Sequence, residues 1–190
     1  MNVVIFGPPG AGKGTQSKFI VSKFKLFQLS TGEFLREEIK KKTELGSNIA
    51  SIVNSGSLVS DDIVSKLIEK IISDEKYKKK IIFDGYPRNL TQAKNLQFLL
   101  TKYNQKIDIV LKLSVNLETV KKRISGRVDC SLCGKIYNEY FNPPPTNSDC
   151  CSSKFLRKRG DDTLEVATKR FLTYEKATEP LLDFYKNLDL

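Results

Sequence analysis

A glycine-rich segment near the start of the chain has the residue types that hold phosphate groups. The apolar run Met1–Phe6 leads directly into Gly7-Pro8-Pro9-Gly10-Ala11-Gly12-Lys13-Gly14-Thr15, and a helical pattern follows from Gln16 to Phe24. Glycines let successive backbone N–H groups point into one concavity, and the N-terminus of the helix adds partial positive charge there. The segment therefore predicts a loop that binds the phosphates of a nucleotide.

The lysine and the hydroxyl of this loop are one residue further apart than in the usual pattern. Ser or Thr usually follows the lysine directly, whereas Gly14 follows Lys13 here and Thr15 supplies the hydroxyl. Lys13 can reach the β- and γ-phosphates, and the hydroxyl can hold Mg²⁺. A flexible turn with an exposed lysine is the alternative, but the strand before the loop and the helix after it favour nucleotide binding.

The seven arginines stand where they could neutralise a phosphoryl group. Phosphoryl transfer needs aligned reactants and neutralised charge, and the planar fork of arginine pairs with two phosphate oxygens at once. Arg88 lies in the turn after a strand that ends in Asp84, and Arg36 lies on a predicted helix. Arg123 and Arg127, four residues apart, are predicted to share one helix face. A surface ion pair explains most single arginines, but this set, completed by Arg157, Arg159 and Arg170, indicates a phosphate site.

Strands and helices alternate along most of the chain. Further strands are predicted at 26–29, 81–84 and 107–113, and helices at 30–40, 44–53, 60–72, 91–102 and 117–127. This alternation predicts an α/β fold with a parallel sheet covered on both faces, and ligands at the carboxyl ends of the strands. The alternation stops at 128–158, where four Cys and three consecutive Pro indicate an inserted subdomain, and helical patterns return from 161 to 190.

The composition favours one domain with inserted flaps. The net charge of +10 comes from 25 Lys and seven Arg against 22 acidic residues. The lysines fall in short runs typical of solvated surface, and a basic surface attracts nucleotides as well as polymers. No apolar run is long enough to span a membrane and no signal peptide is evident, so we expect a cytoplasmic protein.

Five motifs together resemble the long-lid, bacterial type of adenylate kinase, over Met1 to about Tyr185. They are Gly7–Thr15; Ser30-Thr31-Gly32-Glu33 with Arg36; Asp84-Gly85-Tyr86-Pro87-Arg88 followed by Gln92; Arg123 with Gly126-Arg127; and Arg159-Gly160-Asp161-Asp162 with Arg170. The resemblance implies reversible transfer of the γ-phosphoryl group of Mg-ATP to AMP, giving two ADP, on a P-loop three-layer α/β/α fold. We expect a monomer whose partners are ATP, AMP and ADP, with no nucleic acid and no membrane.

The resemblance also assigns roles to individual residues. The ATP-binding residues would be Gly10, Ala11, Gly12, Lys13, Gly14, Thr15, Arg127, Ile136 and Tyr137. The AMP-binding residues would be Thr31, Arg36, Ser57, Leu58, Val59, Gly85, Tyr86, Pro87, Arg88, Gln92, Arg159 and Arg170. The transferred group would contact Lys13, Arg88, Arg123, Arg159 and Arg170. Gln92 would recognise the adenine edge. Thr15 and Asp84 would organise Mg²⁺, and Asp161 and Asp162 would hold the lid closed.

The resemblance divides the chain into three parts. A core P-loop domain would comprise 1–29, 60–125 and 163–190, an AMP-binding flap 30–59, and a lid 126–162. Both flaps must close before transfer, because water would otherwise take the phosphoryl group. Long-lid adenylate kinases usually continue beyond the position of Leu190 with a strand and a helix, and we expect a four-stranded sheet to hold the site without them.

The four cysteines have the spacing of a structural zinc site. Cys130 and Cys133 flank two residues, and Cys150 follows after sixteen more. In similar lids the fourth ligand stands three residues after the third, and that position is Ser153 here. Either Cys151 completes a Zn²⁺ site or the metal is lost. Stable disulfides are not expected in a cytosolic protein.

Other functions compatible with the loop are left open by the residues alone. Another nucleoside monophosphate kinase, acting on UMP or CMP or using GTP on AMP, would share the same arginines. A P-loop switch would need effector loops in place of two arginine-bearing flaps. A nucleic-acid-binding protein would spread aromatic and arginine side chains along one surface.

Overall fold

A four-stranded parallel sheet forms the centre of the computed structural model, which describes residues 1–41, 44–55, 57, 59–146 and 149–190. Its strands are β1 (Val3–Phe6), β2 (Phe27–Ser30), β3 (Ile81–Asp84) and β4 (Ile109–Lys112), in the order β2-β3-β1-β4. The central strands β1 and β3 are buried along their whole length, as their continuous apolar runs require. The edge strand β4 is partly exposed and shorter than the 107–113 predicted.

Helices cover both faces of this sheet. They are α1 (Lys13–Phe24), α2 (Thr31–Lys40), α3 (Glu44–Asn54), α4 (Asp61–Ile72), α5 (Leu90–Lys102), α6 (Leu117–Ser125), α7 (Leu164–Thr173) and α8 (Leu181–Lys186), with a 3₁₀ turn at Glu75–Tyr77 and a π-helical turn at Tyr174–Thr178. The predicted cap of α2 is confirmed, because the Ser30 hydroxyl accepts a hydrogen bond from the Glu33 backbone N–H at 3.4 Å.

The alternation of side chains along β1 builds two apolar layers. Val4 and Phe6 pack in a cluster with buried side chains of α4, α5 and α8, whereas Val3 and Ile5 pack on the opposite face against Ile20 of α1. The three-layer α/β/α fold predicted from the sequence is therefore confirmed. No helix in the described ranges is long and apolar enough to cross a membrane.

A second, antiparallel sheet occupies the insertion. Its strands are β5 (Arg127–Cys130), β6 (Ile136–Asn138) and β7 (Leu156–Arg157), in the order β6-β5-β7. The prediction that Arg123 and Arg127 share a helix face is wrong, because α6 ends at Ser125 and Arg127 begins β5. The Gly126 carbonyl accepts a hydrogen bond from the Glu139 backbone N–H at 2.8 Å. Backbone hydrogen bonding to the inserted segment therefore begins where the helix ends.

Candidate functional site

The glycine-rich loop folds around the head of α1, at the carboxyl end of β1. The Lys13 Nζ donates to the carbonyl oxygens of Gly7 at 2.7 Å and Pro8 at 3.0 Å, so the loop wraps back over its own lysine. Gly10 and Gly12 adopt φ values of 72° and 95°, in the left-handed region that favours glycine. The glycines at these two positions are thus required by the loop conformation.

Lys13 and Asp84 are neighbouring opposite charges at the carboxyl ends of β1 and β3, and each influences the pKa of the other. Burial lowers the pKa of Lys13 to about 8, with Arg88 and Arg170 adding to this effect and Asp84 opposing it. Burial raises the pKa of Asp84, while Lys13 and a 2.9 Å hydrogen bond from Gln28 Nε2 act in the opposite direction. The loop lysine is therefore a desolvated cation whose charge an incoming phosphate would stabilise.

Lys13 lines a cleft of ≈ 620 Å³ that is continuous with solvent. Arg88 and Arg170 line the same cleft. Burial and the neighbouring Arg170 lower the pKa of Arg88 to about 10. The Arg88 Nε donates to the Gly85 carbonyl at 2.8 Å, and the Arg88 carbonyl accepts from the Thr178 hydroxyl at 2.8 Å. These contacts fix the guanidinium between the loop and the next cavity.

Two smaller cavities, of ≈ 250 and ≈ 320 Å³, adjoin this cleft through Arg88. They bring together most of the residues predicted to bind AMP, namely Thr31, Arg36, Ser57, Val59, Gly85, Arg88, Gln92 and Arg170. Pro87 lines the larger cleft, and Tyr86 is buried in the core, where its hydroxyl accepts from Asn95 Nδ2 at 3.2 Å. The predicted residue Leu58 lies outside the described residues.

Gln92 is fixed by a partner that the sequence analysis missed. Its Nε2 donates to Asp61 Oδ1 at 2.6 Å, and its Oε1 accepts from the Arg88 backbone N–H at 2.8 Å. Asn89 Nδ2 also donates to Asp61, at 3.2 Å. Among the described residues, one N–H and one lone pair of the Gln92 amide have no partner and remain to pair with a base edge. The only sequence signal for Asp61 was its place in the first turn of α4, which also suits a helix start.

Three further arginines around the cleft each pair with one aspartate. Arg127 Nε bonds to Asp162 Oδ2 at 2.7 Å, Arg159 Nε to Asp129 Oδ2 at 2.6 Å, and Arg170 Nη1 to Asp161 Oδ2 at 2.6 Å. Burial raises the pKa of Asp161, but Arg170 and Arg127 outweigh it, and the net pKa is lowered. Of these three aspartates, Asp161 and Asp162 are among the residues predicted from the sequence and Asp129 is not.

Arg123 is bound to the glycine-rich loop, whereas Arg36 lines one of the smaller cavities. Arg123 Nη1 donates to the carbonyls of Gly10 at 3.3 Å and Ala11 at 3.1 Å, so α6 is tied to the loop. The Arg123 guanidinium also lies 5.8 Å from the centre of the Phe141 ring. Burial and the nearby Arg159 lower the pKa of Arg36. The cations thus converge, and anionic ligands would relieve their repulsion.

The four cysteine thiols meet in the second sheet. The sulfur atoms of Cys130, Cys133, Cys150 and Cys151 all lie within 4.8 Å of one another. The Tyr137 hydroxyl donates to Cys151 Sγ at 3.2 Å, so this side chain points to the cluster. Tyr137 and Ile136 both lie on β6, and their contact with ATP stays a prediction.

Comparisons with known proteins agree with this geometry. The sequence model of the family described as adenylate kinase matches residues 5–190. An adenylate kinase of Pelagibacter ubique is 48% identical over 185 residues, covering 97% of this chain and 87% of the relative. One from Fusobacterium nucleatum is 44% identical over 186 residues, covering 98% and 86%, and one from Methanosarcina barkeri is 42% identical over 187 residues, covering 97% and 86%.

Proposed function

The chain belongs to the adenylate kinase family, and on that premise we propose which side chains carry the reaction. The reaction is the reversible transfer of the γ-phosphoryl group of ATP to AMP, which gives two ADP. The observation that supports the assignment best is the shared cleft, in which Lys13, Arg88 and Arg170 face one space between the loop and the two smaller cavities.

On the ATP side, the loop residues Gly10, Ala11, Gly12, Lys13, Gly14 and Thr15 hold the phosphates. Lys13 exchanges the Gly7 and Pro8 carbonyls for phosphate oxygens, because a charged acceptor binds an ammonium group more strongly than a carbonyl does. Arg127, Ile136 and Tyr137 contact ATP from the second sheet.

On the AMP side, the two smaller cavities hold the nucleotide between the flap and the core. Thr31, Arg36, Ser57, Leu58, Val59, Gly85, Tyr86, Pro87, Arg88, Gln92, Arg159 and Arg170 form this site. Gln92 recognises the adenine edge, since an amide with one free N–H and one free lone pair matches the donor and acceptor of that edge.

The arginines perform the transfer electrostatically. Little covalent work is required of the protein, so its task is to hold donor and acceptor in line and to neutralise charge on the moving group. Arg88 and Arg170 contact that group from the cleft, and Arg123 and Arg159 complete the clamp with Lys13. Asp161 and Asp162, which pair with Arg170 and Arg127, hold the lid closed.

The division into three parts follows from these roles. We assign 1–29, 60–125 and 163–190 to the core, 30–59 to the AMP-binding flap and 126–162 to the lid. Closure of flap and lid would exclude water from the cleft. Cytoplasmic location, the monomeric state and the lack of nucleic-acid and membrane partners stay predictions from the sequence.

The oxygen atoms of Thr15 and Asp84 fit Mg²⁺, which adenylate kinases use. Asp84 ends β3 beside the loop, where a β-carbon at Gly14 would lie 3.6 Å from its Oδ2, and carboxylate and hydroxyl oxygens suit a hard cation. When bound, Mg²⁺ supplies positive charge to the nucleotide phosphates. The residues themselves orient the phosphates and keep the carboxylate in place through Gln28.

The cysteine cluster fits a structural Zn²⁺ ion. Tetrahedral coordination with bonds of about 2.3 Å places the sulfurs about 3.8 Å apart, and the observed spread of up to 4.8 Å is close to that. Cys151 rather than Ser153 is the fourth ligand in this proposal. Elemental analysis of protein prepared without added metal should give about one equivalent of zinc, and less in Cys151→Ser than in Ser153→Ala. Under a tenth of an equivalent in the unaltered protein would reject the site.

Acceptor selectivity tests the AMP site. Rates with AMP, UMP and CMP, each with ATP and with GTP as donor, should show a strong preference for AMP. Gln92→Leu should raise the KM for AMP and reduce that preference, because the base edge loses its partner. Gln97→Leu is the matched control, since Gln97 is the same residue type exposed on the same helix. Unchanged selectivity in Gln92→Leu would contradict the assignment.

A further inference from the structure

Arg159 is held by an aspartate that lies thirty positions earlier in the chain. Its Nε donates to Asp129 Oδ2 at 2.6 Å, while the aspartates nearest to it in sequence, Asp161 and Asp162, pair with other arginines. The pair is shielded from solvent, with 16% of the Arg159 side chain and 29% of the Asp129 side chain exposed. Partial burial reduces screening by water and salt, so the two charges attract each other more strongly than an ion pair on the open surface does.

The register of the second sheet accounts for this partner. Asp129 of β5 is opposite Arg157 of β7, and Arg159 follows Arg157 by two residues. Since β7 ends at Arg157, the pairing of β7 with β5 brings the residues that follow it, including Arg159, close to Asp129. Arg157 itself is exposed and bonds to a backbone carbonyl, at Leu156. Because the Arg157 guanidinium bonds to Leu156 instead, Arg159 is the arginine that contacts Asp129.

Asp129 places a negative charge among several arginines. Arg159 lowers the pKa of Arg36, which shows that these two guanidinium groups repel each other, and Asp129 raises the pKa of Arg127. The second carboxylate oxygen of Asp129, Oδ1, is buried without a hydrogen-bond partner in the described part of the chain. The carboxylate thus depends on these arginines for its stabilisation.

We propose that Asp129 is a positioning residue for phosphoryl transfer. By occupying Nε of Arg159, it orients the guanidinium so that the two Nη groups, with four N–H donors, face the transferred group. The inference rests on the role proposed above for Arg159. Because Arg159 acts on charge that develops during transfer, loss of Asp129 lowers kcat more than it raises either KM.

A double-mutant cycle tests this mechanism. Asp129→Ala should lower kcat about tenfold, with the KM values for ATP and AMP changed less than about threefold. Asp129→Glu should restore part of the loss. Arg159→Ala should lower kcat further, and adding Asp129→Ala to it should have no additional effect, since Asp129 acts through Arg159. A purely structural role would leave the two effects additive, which would overturn the proposal.

Glu139→Ala is the matched control. Glu139 pairs with Lys158 at 3.3 Å in the same part of the chain, but both side chains are about half exposed, so kcat should not change. Unchanged or increased kcat in Asp129→Ala, while Arg159→Ala is impaired, would overturn the role of Asp129 alone. Unchanged kcat in Arg159→Ala would overturn the role of Arg159 as well. Thermal unfolding of each variant separates a loss of folding from these outcomes.

Discussion

Replacing Arg88 with Met should separate the stability of this enzyme from its activity. The pKa of the buried Arg88 is lowered to about 10, first by burial and then by Arg170, from an ordinary value of 12.5. Each pKa unit corresponds to about 1.4 kcal/mol, so keeping this charge buried costs ~3 kcal/mol. Met has a similar length without charge and leaves the packing of the side chain in place.

The opposing term is the hydrogen bond from Arg88 Nε to the Gly85 carbonyl, at 2.8 Å. The Gly85 carbonyl keeps a second hydrogen bond, from the Thr31 hydroxyl at 2.9 Å, so losing the bond to Arg88 costs only about 0.5–1.5 kcal/mol. The free energy of unfolding should therefore rise, by ~2 kcal/mol. Phosphoryl transfer should respond in the opposite direction, because an arginine that neutralises the moving group contributes about 10³-fold or more to kcat.

Two assays measure these effects. Urea unfolding of the wild type and Arg88→Met gives the change in stability, and ADP formation from saturating ATP and AMP gives kcat. Arg157→Met is the control, since Arg157 is exposed and bonds only to a carbonyl next to it among the described residues. Turnover within tenfold of the wild type would refute the clamp role of Arg88, and any loss of stability in Arg88→Met would refute the charge-burial argument.

Three other predictions follow from the site and its supports. Lys13 is charged below a pKa that burial lowers to about 8, so kcat/KM for ATP should fall as the pH rises through this value; a flat profile from about pH 7 to 9.5 would contradict this. Asp61→Ala should raise the KM for AMP about tenfold and leave that for ATP unchanged, because Gln92 loses its anchor; equal rises in both would contradict the anchor role. Asn116→Ala should lower the free energy of unfolding by ~1 kcal/mol, because Asn116 caps α6 through the Thr119 N–H, and urea unfolding that shows no loss would exclude a stabilising cap.

The parts predicted correctly from the sequence are those that neighbouring residues encode. The strand at 81–84 depends on a continuous apolar run, and the helix cap at Ser30 depends on one hydrogen bond across three residues. The glycines of the loop are required by left-handed φ values that few other residues adopt. A sequence window of a few residues contains all this information, and it was sufficient to predict the fold class and the phosphate loop.

Pairing between distant segments was beyond such windows. The partner of Arg159 depends on the register of β5 against β7, and the partner of Gln92 depends on how α4 packs beside α5. Arg127 lies on a strand and not on the predicted helix. The four-residue spacing from Arg123 fits a helix, but the Gly126 carbonyl accepts from the Glu139 N–H, just after β6, and the chain continues as β5.

The sequence by itself thus determined that this chain binds nucleotide phosphates on a parallel α/β sheet and which arginines could serve them. The tertiary structure decided which carboxylate pairs with each arginine. It also decided which protein groups bond to the oxygen and nitrogen of the Gln92 side-chain amide. The physical reason is the distance along the chain over which each interaction acts. Backbone preferences and caps act within one turn or strand, whereas charge pairing and burial depend on distances between segments that only the folded chain brings together.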